Sequence, residues 1–351
     1  MVTEILKIND SVINHSAEIK RAAEVIVTGG LVVFPTETVY GLGADATNAD
    51  AVKKIYIAKG RPSDNPLIIH ISMPSDAERY AYTNDLFYKL ASKFMPGPLT
   101  VVLDAKDTVP ALTRGGLDTV ALRCPENEIA RALISTAGVG IAAPSANISG
   151  TPSPTVAEHV INDMTGRVDV IIDGGRCDFG LESTIVKIEA GGSLVLLRPG
   201  KITVDDLLTV ANEVKLADSV TDKLKDGEVA LSPGMKYRHY APQASLILVD
   251  ADTPEFISYV RENSMAGVGV ISYTEMISEF EKFIDQSVIF DFGSYADELA
   301  QANRLFDILR ETDKTEVSVV YAPLPKMSGI GLALYNRMIR AAAHKIVRLR
   351  R

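Results

Sequence analysis

The chain has 351 residues, 46% of them apolar and 23% charged, and a formal net charge of -9. That length predicts two domains, each able to bury its own core, and the composition is ordinary for a soluble globular protein. The negative balance disfavours indiscriminate binding of nucleic acid or anionic membrane by the whole surface.

Only Cys124 and Cys177 are present, with no Cys-x-x-Cys pair. This excludes a disulfide framework and fits a reducing compartment. The five histidines are scattered singly, so no zinc site built by the protein is expected. The first residues are polar and charged, and no apolar run approaches membrane-spanning length. The expected setting is cytoplasmic, with no membrane partner.

In chain order, residues 31–34 read as a buried strand, 49–58 as a helix and 67–71 as another strand. A longer helix is predicted around 75–94, closed by Pro96-Gly-Pro98. Strands follow at 99–103, 119–123 and 141–143, with a helix at 126–137. Beyond Pro154 the pattern predicts a helix capped by Thr155, then strands at 168–172, 184–188 and 194–198. Strands outnumber the helices between them, so the sheet is expected to be mixed.

Residues 213–242 are charged and turn-rich and mark a boundary. After it, strands at 246–249, 268–271, 288–290 and 317–321 alternate with helices, one of them at 295–311. A closing helix follows Gly329-Ile-Gly331. This pattern predicts a smaller doubly wound, Rossmann-like α/β domain. The basic tail from Arg337 to Arg351 reads as a helix C-terminus with a solvated charged end.

Four segments carry chemistry. Phe34-Pro-Thr-Glu-Thr-Val-Tyr-Gly-Leu-Gly43 is expected to end a strand in hydroxyls and a Gly-x-Gly turn, where open α/β sheets bind ligands. As a dinucleotide fingerprint it is poor: Pro35 interrupts the strand and no ribose-binding acid follows at the usual distance. Lys59-Gly-Arg-Pro-Ser-Asp-Asn-Pro66 follows a helix and can aim two cations at one polyanion. Ala143-Pro-Ser-Ala-Asn-Ile-Ser-Gly-Thr-Pro-Ser-Pro154 offers small polar side chains and free backbone N–H groups to a phosphate. Ser232-Pro-Gly-Met-Lys-Tyr-Arg-His-Tyr-Ala-Pro242 puts cations and rings in the stretch between the two α/β regions, more than a spacer needs. Glu182-Ser-Thr184 and Arg198-Pro-Gly200 are weaker signals at strand boundaries, and no Walker-type loop is present.

The Lys59-x-Arg61 and Ser145-x-Asn147 pairs, taken with the first and last of these segments and in this order, resemble the threonylcarbamoyl-AMP synthases. This is a YrdC-type family in its long, two-domain form, and the resemblance spans essentially the whole chain. It implies a YrdC-like twisted mixed-sheet catalytic domain at 1–212, a linker at 213–242 that folds over the active site, and the Rossmann-like domain at 243–351.

The resemblance further implies condensation of L-threonine, bicarbonate or CO2, and ATP into threonylcarbamoyl-AMP and pyrophosphate. A downstream tRNA threonylcarbamoyl transferase would use the product to modify the adenosine at position 37 of tRNA. By the same resemblance, Thr38, His70, Arg123, Ala143 (through its backbone) and Ser183 hold threonine. Lys59, Arg61, Asn65, Thr119, Ser145, Asn147, Ser153, Arg198 and Tyr237 hold ATP, and Lys59 and Arg61 are the catalytic cations. Magnesium is expected with the triphosphate, held by phosphate oxygens and water, with no metal ligands from the protein.

Other readings stay open at this stage. One is a double-stranded RNA-binding module with weak tRNA contact, which salt-sensitive affinity would reveal. Another is a nicotinamide-dependent oxidoreductase. A third is a nucleotide-dependent carbamoyltransferase. The hydrogenase-maturation enzymes of that kind share a YrdC-like domain, but two cysteines cannot supply their zinc fingers.

Overall fold

A computed structural model describes residues 2–8, 16–189, 191–222 and 240–349. By internal contacts the chain divides into two units, one comprising Met1–Ser149 and Ser153–Lys236, the other Gly150–Pro152 and Tyr237–Arg351.

The first unit begins with β1 (Glu4–Lys7), α1 (Ala17–Val27), β2 (Val32–Phe34), β3 (Gly41–Asp45), α2 (Ala49–Lys59) and β4 (Ile68–His70). It continues with α3 (Asp85–Phe94), β5 (Leu99–Asp104), β6 (Thr119–Arg123), α4 (Glu128–Ala137), β7 (Ile141–Ala142) and α5 (Ala157–Met164). It ends with β8 (Val170–Asp173), β9 (Thr184–Ile188), β10 (Leu194–Arg198), α6 (Val204–Leu208) and β11 (Val214–Leu216). The strands form one 11-stranded sheet in the order β1-β8-β2-β3-β7-β4-β6-β5-β9-β10-β11. Parallel pairs such as β4·β6 and antiparallel pairs such as β5·β6 occur together, so the sheet is mixed, as the excess of strands predicts.

The amphipathic helices α1 and α4 bury Ile19, Ile26, Leu133 and Ile134 against Val32, Phe34, Val170 and Ile172. A second apolar cluster joins Ile68, Val102, Ala121, Ile185 and Leu197 across β4, β5, β6, β9 and β10. Because side chains alternate along a strand, the residues two positions from Ile68 and Ala121 share their face. Those residues are His70 and Arg123, which are direct cross-strand partners.

The second unit contains β12 (Ser245–Asp250), α7 (Thr253–Glu262), β13 (Val268–Ser272), α8 (Ile277–Phe280), β14 (Ile289–Asp291), α9 (Glu298–Thr312), β15 (Val319–Pro323), α10 (Gly331–Ala341) and β16 (Ile346–Arg348). Its sheet, β14-β13-β15-β12-β16, is parallel throughout.

Several sequence expectations are corrected. The helix around 75–94 is two elements: a 3-10 turn at Pro74–Arg79 and then α3, restarted by Asn84, whose side chain accepts from the Phe87 N–H. Gly41-Leu-Gly43 is a strand, β3, and not a turn. Its glycines leave room for the Phe34 ring, since a Cβ on Gly43 would stand 2.8 Å from Phe34 Cε1 and 2.6 Å from Ile141 Cγ2. Thr155 is buried and does not cap α5, which starts at Ala157 after Val156 with no side-chain cap. Helix α9 starts at Glu298 behind an Asp297 cap, later than its expected position. The basic tail is solvated only in part: Arg337 is fully buried in α10, whereas Lys345 and Arg348 are exposed, and the chain returns to the sheet as β16.

Gly43→Ala should therefore destabilise the first unit by about 1–3 kcal/mol through overpacking against Phe34 and Ile141. A chemical-denaturation midpoint equal to that of the unmodified protein would show that the ring does not need the bare strand.

Candidate active site

The segment after β2 is threaded between two others by its backbone. Tyr40 N–H donates to Pro154 O, and Ala146 N–H donates to Tyr40 O. On the other side Phe179 N–H donates to Glu37 O and Gly180 N–H to Thr38 O. Within the turn, Thr36 Oγ1 accepts from the Thr38 and Val39 N–H groups and lies 2.9 Å from Thr38 Oγ1. Both threonines are buried.

His70, Arg123 and Thr100 form one row across β4, β6 and β5. The imidazole Nδ1 of His70 lies 3.2 Å from Ile68 O, and Phe34 meets the ring edge-on. Burial, reinforced by the Arg123 guanidinium, lowers the His70 pKa to about 3, so the ring is neutral near physiological pH. Arg123 Nη2 donates to Glu37 Oε1 at 2.7 Å, with both side chains about 5% exposed or less. Arg123 Nε and Glu37 Oε2 are buried and have no hydrogen-bond partner among the described residues.

Thr100 Oγ1 lies 2.8 Å from Ser183 Oγ, which also accepts from Arg198 Nη2 at 3.1 Å. Arg198 Nε donates to Ser183 O. Ser153 Oγ donates to Glu182 Oε1 at 2.6 Å. The Ala143 N–H is committed to Ile68 O. Any backbone contact that Ala143 makes to a ligand must therefore use its carbonyl.

Lys59 ends α2. Gly60 closes that helix in the left-handed region, φ 60°, where a side chain would be strained. The Lys59 ammonium is buried and donates to Ser145 O at 2.5 Å, Asn147 O at 2.6 Å and Asn147 Oδ1 at 3.4 Å. Ser145 Oγ donates to Asn147 Oδ1, and Ser149 N–H returns to Lys59 O. The Lys-x-Arg and Ser-x-Asn motifs are thus brought together.

Arg61 Nη2 donates to Asn65 O and Pro66 O at 3.4 and 3.3 Å. The Asn65 side chain is fully buried, and neither its amide nitrogen nor its oxygen has a partner among the described residues. Thr119 shares a face of β6 with Arg123 four residues away, a span of about 13 Å. Ala121, between them, pairs with Ile68, which places Thr119 level with the loop that carries Asn65.

Tyr237 and the rest of 223–239, most of the expected linker, lie outside the described residues. The sequence motifs quoted for the site included Glu37 and Glu182 without giving Glu37 a role. The available signal was a carboxylate set among hydroxyls and apolar residues at a buried strand end. Thr100 could be found only from strand register. Both cysteines are buried thiols with pKa values raised by burial, Cys124 to about 11, so neither is a poised nucleophile. Among the described residues no cluster of three or more His, Cys, Asp or Glu could hold a metal, and no helix is long and apolar enough to cross a membrane.

Residues 24–200 match a family model described as "Telomere recombination", and 202–343 match "Threonylcarbamoyl-AMP synthase, C-terminal domain". A threonylcarbamoyl-AMP synthase of Pyrococcus abyssi is 43% identical over 340 residues, covering 95% of this chain and 96% of that protein. The Bacillus subtilis protein of that name is 42% identical over 351 residues, covering 99% and 97%. The crystal structure of P. abyssi Sua5 complexed with L-threonine superposes with a TM-score of 0.88 at 40% identity, covering all of both chains. The chain belongs to the threonylcarbamoyl-AMP synthase family.

Proposed function

We propose that this protein condenses L-threonine, bicarbonate and ATP into threonylcarbamoyl-AMP, releasing pyrophosphate, as the activating step of threonylcarbamoyl transfer to tRNA. The observation that carries the reading is the Asn65 amide, sealed from water with no partner at either atom among the described residues. Leaving a buried polar group unsatisfied costs about 1–3 kcal/mol. A ligand that supplies both a donor and an acceptor removes the cost, and a nucleotide does so.

Threonine sits over the His70–Arg123–Thr100 row, its carboxylate on Arg123, with Thr38, Ser183 and the Ala143 carbonyl around it. ATP extends toward Thr119, Asn65 and Arg61, with its phosphates against the loop of Ser145 and Asn147 that Lys59 supports. Ser153 and Arg198 complete that half. The span of about 13 Å along β6 accommodates an amino acid joined to a nucleotide.

Once the amine carries its carboxyl group, the carbamate oxygen attacks the α-phosphorus and pyrophosphate leaves. This displacement needs positioning and charge neutralisation more than a side-chain nucleophile. Magnesium would accompany the triphosphate and help neutralise its charge, without ligands from the protein. The setting is cytoplasmic, and the acceptor of the labile product is a tRNA threonylcarbamoyl transferase. Incubation with ATP, threonine and bicarbonate, followed by detection of threonylcarbamoyl-AMP and pyrophosphate, tests the reading directly.

Arg61→Ala and Lys59→Ala should each abolish turnover with circular dichroism unchanged, a loss of about 2–4 kcal/mol of transition-state stabilisation. Near-normal pyrophosphate release by both variants would remove the phosphates from this loop.

Valine should be a very poor substrate, because a site built to hydrogen-bond a hydroxyl rejects an analogue lacking it strongly. Serine should be weak for want of the methyl group. Equal rates with valine and threonine would overturn the placement.

His70 sets an acid limit on stability. Its folded pKa of about 3 lies below the ordinary value near 6.5, so between those values the unfolded chain binds more protons. Stability contributed here is complete above about pH 6.5 and falls on acidification, by up to about 1.4 kcal/mol per pH unit. His70→Asn should flatten that part of the melting-temperature profile, and an unchanged slope would show that the ring is not buried neutral.

A further inference from the structure

Glu37 is a buried carboxylate beside Arg123 that the reaction described above leaves unused. It is 4% exposed; Oε1 holds Arg123 at 2.7 Å, and Oε2 is buried without a partner among the described residues. A buried ion pair is a weak source of stability, since well-packed apolar residues of similar volume often do as well. One whose acceptor oxygen is also left unfilled is weaker still. What it fits is a molecule carrying both charges on adjacent groups.

We propose that Glu37 holds the threonine ammonium through Oε2 and takes its proton, opening the reaction by freeing the amine. The proposal rests on the threonine placement given above. With the carboxylate of the α-amino acid on Arg123, the ammonium one carbon away meets the oxygen that Arg123 leaves free. The neutral ion pair is thereby matched by a neutral zwitterion, and no net charge is buried.

An ammonium has no lone pair with which to attack the carbon of CO2 or bicarbonate. In the proposed step one N–H bond breaks, its electron pair stays on nitrogen, and the proton passes to Oε2. The products are a neutral amine and a neutral carboxylic acid, side by side. Among the described residues, Arg123 is hydrogen-bonded to Glu37, and Cys124 just past β6 and Cys177 after β8 lie close enough to feel its charge. Both thiols are held protonated by burial, Cys124 with a pKa of about 11. His70, beyond Arg123, is neutral. Neither thiol nor the His70 ring competes for the proton.

Glu37→Gln preserves shape and the acceptor for Arg123 but removes the charge. Its threonine KM should rise about tenfold or more, the loss of one charge-assisted hydrogen bond, while its ATP KM stays within about twofold. Its residual kcat/KM for threonine should climb with pH through the range in which the free amine loses its proton unaided. Glu37→Asp keeps a carboxylate and should restore the wild-type pH profile with a raised KM; it decides the matter if the glutamine variant does not fold. Arg123→Gln, measured alongside, separates the two ideas. If it raises the threonine KM while both Glu37 variants keep wild-type KM and pH profile, threonine is correctly placed and the role of Glu37 is overturned. If no variant moves the threonine KM, threonine binds elsewhere and both readings fall.

Discussion

A single buried ammonium ties the end of α2 to a distant loop of the candidate site. Lys59 is 2% exposed, and a cation that loses its water must recover its hydrogen bonds from the protein or the fold does not tolerate it. Here the acceptors are two backbone carbonyls and one amide oxygen of a loop far away in sequence. The loop answers through Ser149, which donates to the carbonyl of the same lysine. The end of α2 and the loop of Ser145 and Asn147 are therefore one rigid piece. In the proposed placement, a phosphate arriving there would meet a charge whose desolvation cost was met on folding, so water would dilute the attraction less.

The row across β4, β6 and β5 follows the same logic with a different outcome. Arg123 is buried beside Glu37, but this pair leaves atoms on both partners without a bond among the described residues. The guanidinium in turn helps keep His70 neutral, so the row across β4, β6 and β5 reads neutral ring, cation, hydroxyl. One row further, Ile68, Ala121 and Val102 form an apolar floor. Polar reading groups and an apolar surface lie within one strand repeat, the arrangement a hydroxyl and a methyl on one carbon require.

How much of this could be read beforehand varied with the kind of signal. Strands at Thr184–Ile188 and Leu194–Arg198 match their expected runs residue for residue. The helix expected around 75–94 failed because helical periodicity continues across Asn84, where a cap begins a new element. Gly41-Leu-Gly43 reads as a turn in one dimension, and only the Phe34 ring lying across it explains why it is a strand. Arg337 looked like part of a solvated tail, since local sequence does not reveal the buried environment that α10 provides. Glu37 was quoted within a motif yet left without a role, because its partner is Arg123, 86 positions along the chain.

That separation is general at this site. Lys59 and Asn147 are 88 positions apart, Glu37 and Arg123 86, Thr100 and Ser183 83. Each contact closes a long loop whose entropy must be met before the contact returns anything. No local segment can hold half a site: β4 and β6 must pair to set Arg123 beside His70, and β5 must join to bring Thr100 and, through it, Ser183. Buried charges that would be costly in a partly formed sheet become tolerable only when all strands are in register. The binding geometry is thus a consequence of completing the sheet, and the motifs stand apart in sequence because the chain reaches the same place by different strands.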